Sequence, residues 1–197
     1  MQVFPDTVVL VIGASSGIGH QTALLFLKEG ALVMASARRE HRLKELEPHG
    51  IAIHPADATD PAAMERLAAA TLAKYGRIDI MVYATGANTP DRALDRLTPA
   101  VWNMIVDVNL NGAYYASRAA LPAMRKQQSG LIFYISSQSS LTPDQSGASY
   151  QASKRGLAGL AGAIRFEEKQ NGIRTCIVCP GLTDTEILEK RPVKPTP

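Results

Sequence analysis

A tyrosine and a lysine four residues apart, Tyr150 and Lys154 in the segment Tyr-Gln-Ala-Ser-Lys, could together carry out proton transfer. On a helix, side chains at positions i and i+4 share one face, so the phenol and the ammonium group can lie close together. A positive charge about 5 Å away, at an effective dielectric of about 20, favours the phenolate by roughly 3 kcal/mol, or about two pKa units. The spacing therefore predicts a tyrosine whose pKa lies near neutrality.

The pair alone is weak evidence, because a tyrosine and a lysine on one helix face are often simply exposed surface residues. Its surroundings favour a catalytic role. The pair opens a predicted helix, and Ser137 lies thirteen residues upstream, where the predicted strand ends in Ile-Ser-Ser. In this context a proton-transferring tyrosine and lysine pair is favoured over an exposed surface pair.

A glycine-rich segment near the N-terminus could bind a pyrophosphate. It reads Gly-Ala-Ser-Ser-Gly-Ile-Gly and follows an apolar strand. Glycines let the backbone turn sharply and approach a phosphate, which the amides of the next helix N-terminus can receive. The spacing Gly-x-x-x-Gly-x-Gly differs from the commoner Gly-x-Gly-x-x-Gly, so a strand-to-helix turn without ligand is the alternative. The candidate cofactor contacts in this segment are Gly13, Ser15, Ser16, Gly17, Ile18 and Gly19.

The residues after the second predicted strand indicate which dinucleotide binds. An NAD site usually has an acid here to bind the ribose hydroxyls, whereas this sequence reads Ala-Ser-Ala and then Arg38 and Arg39. Two guanidinium groups match a 2′-phosphate, which favours NADP(H); a solvated basic helix start is the alternative. After the third strand, Asp57 could accept from the adenine amino group or cap the helix that begins near Pro61.

The composition fits a single α/β domain that can bury a substantial core. The chain has 197 residues, 46% of them hydrophobic, and a net charge of +3 from 21 basic and 18 acidic residues. The charges are mixed along the chain, so no nucleic-acid partner is expected. With no signal-peptide pattern and no apolar run of membrane-spanning length, we expect a cytoplasmic protein without membrane contact. Cys176 and Cys179 stand on opposite faces of a predicted strand, so we expect buried thiols and no metal site.

Apolar runs alternate with helical patterns along the whole chain. The predicted strands are 7–12, 31–36, 51–54, 78–83, 131–136 and 174–179, and the predicted helices are 17–29, 39–47, 61–75, 99–127 and 149–171. Strands without alternation are buried on both faces, which with the intervening helices predicts a doubly wound parallel sheet, a Rossmann-like three-layer α/β/α fold. We expect one domain over 1–185 and, because prolines are frequent at the end, an irregular segment over 186–197.

Taken together and in this order, the motifs resemble those of the short-chain dehydrogenase/reductase family. They are the glycine segment, Asn109 in Val-Asn-Leu, Ser137, the Tyr150–Lys154 pair and Pro180-Gly181. The resemblance implies that Tyr150 is the acid/base, that Ser137 steadies the substrate oxygen, and that Lys154 also holds the nicotinamide ribose. It implies that Asn109 orders a water in a proton relay. The further cofactor contacts that it implies are Asp57, Ala58, Ala84, Gly86, Pro180, Gly181, Thr183 and Thr185.

The function implied by the resemblance is hydride transfer between NADP(H) and a small-molecule carbonyl or alcohol. Two alternatives stay open: a regulatory protein of the same fold that binds NADP without turnover, and a nucleotide-sugar epimerase or dehydratase with the same Tyr/Lys pair. The second is disfavoured because, by resemblance, the first loop of those enzymes has the spacing Gly-x-x-Gly-x-x-Gly, whereas this chain has Gly-x-x-x-Gly-x-Gly. By resemblance, the helices over 99–127 and 149–171 would pack against a second subunit in a homodimer or homotetramer.

The sequence departs from the family pattern at three places. It has Ile12-Gly13 where the family often has Thr-Gly, and Tyr83-Ala84-Thr85-Gly86 where the family often has Asn-Asn-Ala-Gly. The replaced side chains, by resemblance, tie the central strands and the cofactor ribose. After residue 188 the family normally continues through a substrate lid, a last helix and a last strand. We therefore expect 186–197 to be the start of the substrate-loop region and the later C-terminal elements to be missing from this sequence.

Overall fold

Six parallel strands form one sheet in the computed structural model. The structure describes residues 2–190; for residues 189 and 190 it describes the backbone alone. In chain order the strands are β1 (Val8–Ile12), β2 (Leu32–Ser36), β3 (Ala52–Ile53), β4 (Ile80–Tyr83), β5 (Gly130–Ile135) and β6 (Ile173–Val178). They are ordered β3-β2-β1-β4-β5-β6, and every neighbouring pair is parallel. The strand order reverses direction between β1 and β4, where such sheets bind ligands at the carboxyl ends of the strands.

The two central strands are buried along their whole length, as the lack of alternation in their sequences predicts. All residues of β1 and of β4 are buried. Alternate side chains enter two separate hydrophobic clusters: Leu10 and Met81 belong to one, and Val9 and Val82 to the other. The sheet is therefore covered on both faces, which confirms the predicted three-layer Rossmann-like fold.

Within residues 2–190, six α-helices connect the strands. They are α1 (Gly17–Lys28), α2 (Glu40–Leu43), α3 (Pro61–Tyr75), α4 (Pro99–Val106), α5 (Gly112–Gln127) and α6 (Ala148–Glu167). The prolines at the starts of α3 and α4 occupy first-turn positions, as predicted, because a proline there lacks only an amide that would have no partner in the helix. Asp60 and Thr98 cap these two helices, accepting from the amides of Ala62 at 2.9 Å and Val101 at 3.3 Å.

The single helix predicted over 99–127 is wrong, because a π-helical segment, Asp107–Asn111, separates α4 from α5. Two contacts explain the wider turn. The phenol of Tyr83 donates to the Val108 carbonyl at 2.6 Å, and Gly112 leaves room for that phenol, since a Cβ there would lie 2.3 Å from its oxygen. The π segment turns Asn109 inward, where it is completely buried.

Other boundaries also differ from the prediction. The helix predicted over 39–47 is α2 followed by a 3₁₀ helix, Lys44–His49, which contains Pro48. The helix predicted over 149–171 ends as an α-helix at Glu167, and a 3₁₀ turn, Lys169–Asn171, leads to Gly172 at φ +68°. Strand β3 has two residues where four were predicted.

The last described residues and the two cysteines require separate comment. A 3₁₀ helix, Glu186–Lys190, lies within the stretch predicted to be irregular, and residues 191–197 lie outside the described part of the chain. Cys176 and Cys179 are free and half-buried; the prediction of buried thiols is wrong because β6 is at the edge of the sheet. Among residues 2–190, no helix is both long and apolar enough to cross a membrane.

The hydroxyl of Tyr83 should contribute measurably to stability. Burial raises the pKa of Tyr83, so the phenol stays protonated and donates to the buried Val108 carbonyl. We predict that Tyr83→Phe lowers the free energy of unfolding by about 1–3 kcal/mol, because the carbonyl loses its donor without access to water. Denaturant titration followed by circular dichroism measures this change.

Tyr134→Phe is the matched control for this prediction. The Tyr134 hydroxyl contacts Ser117 Oγ at 2.6 Å, but Ser117 also donates to the Ala113 carbonyl at 2.6 Å and keeps that bond in the variant. We expect a loss of roughly 1 kcal/mol or less. If the two variants were destabilised equally, the bond between Tyr83 and the π segment would have no special importance.

Candidate active site

The carboxyl ends of the central strands open into a cleft of about 530 Å³. The cleft runs from the loop after β1 to the loop after β6. Every site residue predicted from the sequence lines this cleft except Gly19 and Asn109, both of which lie just beneath its wall. The sheet therefore brings together residues that are up to 172 positions apart in the chain, from Gly13 to Thr185.

The glycine-rich loop fits closely against its neighbours. A Cβ on Gly13, which has φ +96°, would lie 2.6 Å from the amide of Thr85, and one on Gly19 would lie 2.2 Å from the Gly13 carbonyl. Gly17 begins α1 at φ +55°, and no side chain from Ser16 caps the amides of that helix. The loop thus presents free helix-terminal amides beside a backbone that can approach a pyrophosphate closely.

Lys154 is a buried charged residue of the cleft. Its side chain is 3% exposed, and its Nζ donates to the Ile135 carbonyl at 2.8 Å. Nζ lies 5.7 Å from the centre of the Tyr150 ring, so the predicted i, i+4 pair does share one face of α6. Burial lowers the pKa of Lys154 from 10.5 to about 8. At neutral pH the ammonium form still predominates, and its positive charge acts on the adjacent phenol.

Ser137 takes part in a hydrogen-bond chain that the sequence did not reveal. Its Oγ donates to Ser139 Oγ at 3.1 Å, and Ser139 Oγ donates to Asp144 Oδ2 at 2.6 Å. Ser139 also contacts Ser146 Oγ at 2.9 Å. A signal was present in the serine-rich run from 136 to 140 followed by an aspartate, but only the folded loop brings those groups together.

Arg92 is a second cleft residue that sequence reasoning missed. The side chain lines the cleft although the residue is only 7% exposed, and its Nε donates to the Thr89 carbonyl at 2.8 Å. The loop that carries it packs tightly on the start of α6, since a Cβ on Gly147 would lie 2.7 Å from Cβ of Arg92. Nothing in the spacing of Arg92 distinguishes it from an exposed arginine, so the sequence held no signal for this position.

Both polar atoms of the Asn109 side-chain amide are hydrogen-bonded to other residues of the protein. Its Oδ1 accepts from the amide of Ala87 at 2.7 Å, and its Nδ2 donates to the Ala87 carbonyl at 3.0 Å and to Ser153 Oγ at 3.0 Å. These bonds connect the π segment with the loop after β4 and with α6. The role implied by resemblance, ordering a water, stays a prediction.

The two predicted phosphate ligands differ in what they contact. Arg39 donates through Nη2 to Ser16 Oγ at 2.7 Å and through Nε to Ser15 Oγ at 3.2 Å. Its Nη1 lies 2.8 Å from a carboxylate oxygen of Glu186, which the sequence analysis did not foresee. Arg38 is more exposed, with one guanidinium nitrogen 3.9 Å from Asp57. Hydroxyls and guanidinium groups thus gather at one end of the cleft.

Asp57 forms a local turn and does not cap α3. Its Oδ1 accepts from the amide and the hydroxyl of Thr59, at 2.9 and 2.8 Å. The cap of α3 is Asp60, so the capping alternative for Asp57 is wrong, because that residue lies one turn too early. Asp57 and Ala58 line the cleft beside Arg38, as a contact with an adenosine would require.

A model of the short chain dehydrogenase family matches residues 7–195 of the chain. The chain belongs to this family, and the protein is an oxidoreductase of that family. An uncharacterized oxidoreductase of Staphylococcus saprophyticus is 34% identical over 190 residues, which are 93% of this chain and 77% of the relative. A 3-oxoacyl-[acyl-carrier-protein] reductase of Thermotoga maritima is 34% identical over 193 residues, covering 95% of this chain and 78% of the relative.

Solved structures of the same architecture agree with this assignment. A variant of the actinorhodin polyketide ketoreductase, solved with NADPH, superposes with a TM-score of 0.87 at 32% identity over 95% of this chain and 74% of that one. The crystal structure of gox2181 superposes with a TM-score of 0.89 at 25% identity, covering 94% of this chain and 75% of that one. The family, and the fold predicted from the sequence, are thereby confirmed.

The buried ammonium group should make stability depend on pH. Between pH 8 and 10.5 the unfolded chain binds more protons at residue 154 than the folded chain, so folding stability rises with pH; below about pH 8 both states are protonated. We predict that the free energy of unfolding of wild type, relative to Lys154→Met, increases over this range by on the order of 3 kcal/mol. Denaturant titrations at several pH values measure it.

Lys74→Met, which removes an exposed ammonium group from α3, is the matched control. Its pH profile is compared with that of Lys154→Met under the same buffers. Identical profiles for the two variants would mean that Lys154 is not desolvated in the folded protein, which would contradict the geometry.

Proposed function

We propose that the protein interconverts a carbonyl and an alcohol on a small molecule with NADP(H), and that Tyr150 is the acid/base. The observation that carries this proposal is the buried ammonium of Lys154, 5.7 Å from the Tyr150 ring, in a cleft that also contains Ser137. A desolvated charge is costly to maintain, and such groups are concentrated at functional sites. The match to the short chain dehydrogenase family supports the same reaction class.

The residues of the cleft fit a nicotinamide dinucleotide. The glycine loop can present the N-terminus of α1 to a pyrophosphate, because Gly13 and Gly19 pack against neighbouring backbone so closely that a side chain at either position would not fit this loop conformation. Arg38 and Arg39 stand where an NAD site would have an acid, which favours a 2′-phosphate. The structural neighbour solved with NADPH supports this choice. The bound dinucleotide would supply or accept the hydride.

The chain's own residues would hold and move the proton. Tyr150 would give its phenolic proton to the substrate oxygen during carbonyl reduction and take it back during alcohol oxidation. The ammonium of Lys154 favours the phenolate that remains, and by resemblance would also hold the nicotinamide ribose. Ser137 would donate a hydrogen bond to the substrate oxygen, and Asn109 would take part in returning the proton through an ordered water.

The segment after β6 would complete the nicotinamide end of the site. Pro180, Gly181, Thr183 and Thr185 line the cleft. The amide of Gln138, next to Ser137, donates to the Pro180 carbonyl at 2.9 Å, so this segment is held against the proposed catalytic serine. Assembly as a homodimer or homotetramer, and a cytoplasmic location, stay predictions.

One assay separates the proposed enzyme from the two alternatives. Purified protein is mixed with NADPH and a panel of aldehydes and ketones, and NADPH absorbance is followed. Consumption with at least one carbonyl is expected. A regulatory protein would bind NADPH without consuming it, and an epimerase or dehydratase would convert a nucleotide sugar with no net change in the cofactor.

The first prediction from this proposal concerns the proton. Tyr150→Phe keeps the ring but removes the exchangeable proton, so turnover should fall by about 100-fold or more while the Kd for NADPH changes little. Steady-state kinetics and fluorescence titration measure the two quantities. Tyr114→Phe is the control, since Tyr114 is an exposed tyrosine on α5. Turnover by Tyr150→Phe at the control's rate would rule out the mechanism.

The second prediction concerns cofactor choice. Wild type should favour NADPH over NADH by at least about tenfold, which corresponds to ~1.4 kcal/mol. Ala37→Asp combined with Arg38→Leu installs a carboxylate for the ribose hydroxyls and removes a phosphate donor, so preference should move toward NADH. Ratios of kcat/KM for the two cofactors measure it, with Arg38→Leu alone as the control. A wild-type preference for NADH would overturn the assignment.

A further inference from the structure

A carboxylate of the chain itself lies in the place proposed for the 2′-phosphate. One oxygen of Glu186 is 2.8 Å from Nη1 of Arg39, and the other is 3.6 Å from Nη2 of Arg42. Arg39 simultaneously donates to the hydroxyls of Ser15 and Ser16. Guanidinium groups and hydroxyls converging on one anion are the donors that bind a phosphate monoester.

The position of Glu186 follows from the segment that carries it. The Cγ2 methyl of Thr185 packs on the glycine loop, since a Cβ on Gly17 would lie 2.9 Å from it. The amide of Leu188 donates to the Thr185 carbonyl at 2.9 Å, which starts the short 3₁₀ helix. Residues 180–183 and 185–188 all line the cleft. Glu186 is therefore delivered to Arg39 by the same segment that covers the proposed cofactor site.

The charge of Glu186 is retained at neutral pH. Arg39 lowers the pKa of this carboxyl group, and Ser16 and Arg42 lower it further. The ion pair is exposed, with 42% of each side chain accessible, so solvent screens it and another anion can replace it. A 2′-phosphate brought to the same donors would meet a like charge within a few ångströms, which disfavours simultaneous binding.

We propose that Glu186 competes with the 2′-phosphate of NADP(H) for Arg39 and Arg42, and that it thereby weakens the discrimination in favour of the phosphorylated cofactor. This inference rests on the proposed NADP(H) specificity. Binding of the phosphorylated cofactor would displace the Glu186 carboxylate from Arg39. An unphosphorylated dinucleotide would leave that ion pair in place, because it carries no group that competes for the same donors.

The test uses two small probes that differ by the 2′-phosphate alone, 2′,5′-ADP and 5′-AMP, titrated into the protein by calorimetry at low salt. Glu186→Gln removes the charge and keeps the side-chain shape. We expect the variant to bind 2′,5′-ADP about fivefold more tightly and 5′-AMP within twofold of wild type. The difference should shrink as salt is raised, because the groups involved are exposed.

The matched control is Glu65→Gln, which changes the net charge by the same amount. Glu65 lies on α3 and pairs with Arg118 at 3.2 Å, away from the cleft. Its affinities for both probes should equal those of wild type. Glu186→Ala serves as a second variant, and it should also bind 2′,5′-ADP more tightly than wild type does.

Each outcome separates the two proposals. Wild type that binds 2′,5′-ADP no better than 5′-AMP would defeat the NADP(H) assignment and this inference with it. If wild type prefers 2′,5′-ADP but Glu186→Gln leaves its affinity unchanged, or tightens both probes equally, NADP(H) specificity stands and the competition is refuted. Equal tightening in Glu65→Gln would attribute the effect to net charge and would also refute it.

Discussion

The hydrogen bond from Lys154 to the Ile135 carbonyl is the interaction on which the candidate site depends. It fixes a buried ammonium group where β5 ends and α6 passes beneath the cleft. A second bond runs in the opposite sense, from Ser136 Oγ to the Lys154 carbonyl at 3.0 Å. Two hydrogen bonds thus connect Lys154 of α6 with the end of β5, one to Ile135 and one from the next residue, Ser136. The ammonium group cannot move to solvent without losing its hydrogen bond to the Ile135 carbonyl. The surrounding fold therefore offsets the free-energy cost of burying this charge.

Parallel topology explains why the remaining groups converge on this junction. All six strands point the same way, so every loop after a carboxyl end reaches one edge of the sheet. The reversal of strand order between β1 and β4 opens the cleft there. At one end lie Lys154 and Tyr150, at the other Arg39, and between them the glycine loop allows close approach of backbone. The proposed 2′-phosphate site and the proposed proton-transfer site therefore belong to one cleft.

The sequence predicted what depends on local pattern and missed what depends on tertiary contact. The full burial of β1 and β4, the first-turn prolines and the shared face of Tyr150 and Lys154 follow from periodicity and backbone chemistry, and the structure confirms them. The π segment could not be predicted, because its cause is a phenol from β4 that bonds to Val108. The acidic partner of Arg39 could not be predicted either, since Glu186 is 147 positions away in the chain. The capping alternative for Asp57 was wrong although the start of α3 at Pro61 was predicted correctly, because the capping residue is the one directly before the helix, Asp60.

The hydrogen-bond chain from Ser137 shows how a neighbouring loop can orient the hydroxyl that is proposed to donate to the substrate oxygen. Ser139 donates its proton to a carboxylate oxygen of Asp144 and so turns lone pairs toward Ser137. The amide of Ser139 in turn donates to Ser137 Oγ at 3.2 Å. Ser137 therefore receives a fixed donor and keeps its own proton for an acceptor, either Ser139 or a substrate oxygen in the cleft. A substrate carbonyl competes with one neutral hydroxyl for that proton, which is an exchange of similar hydrogen bonds and so is energetically easy.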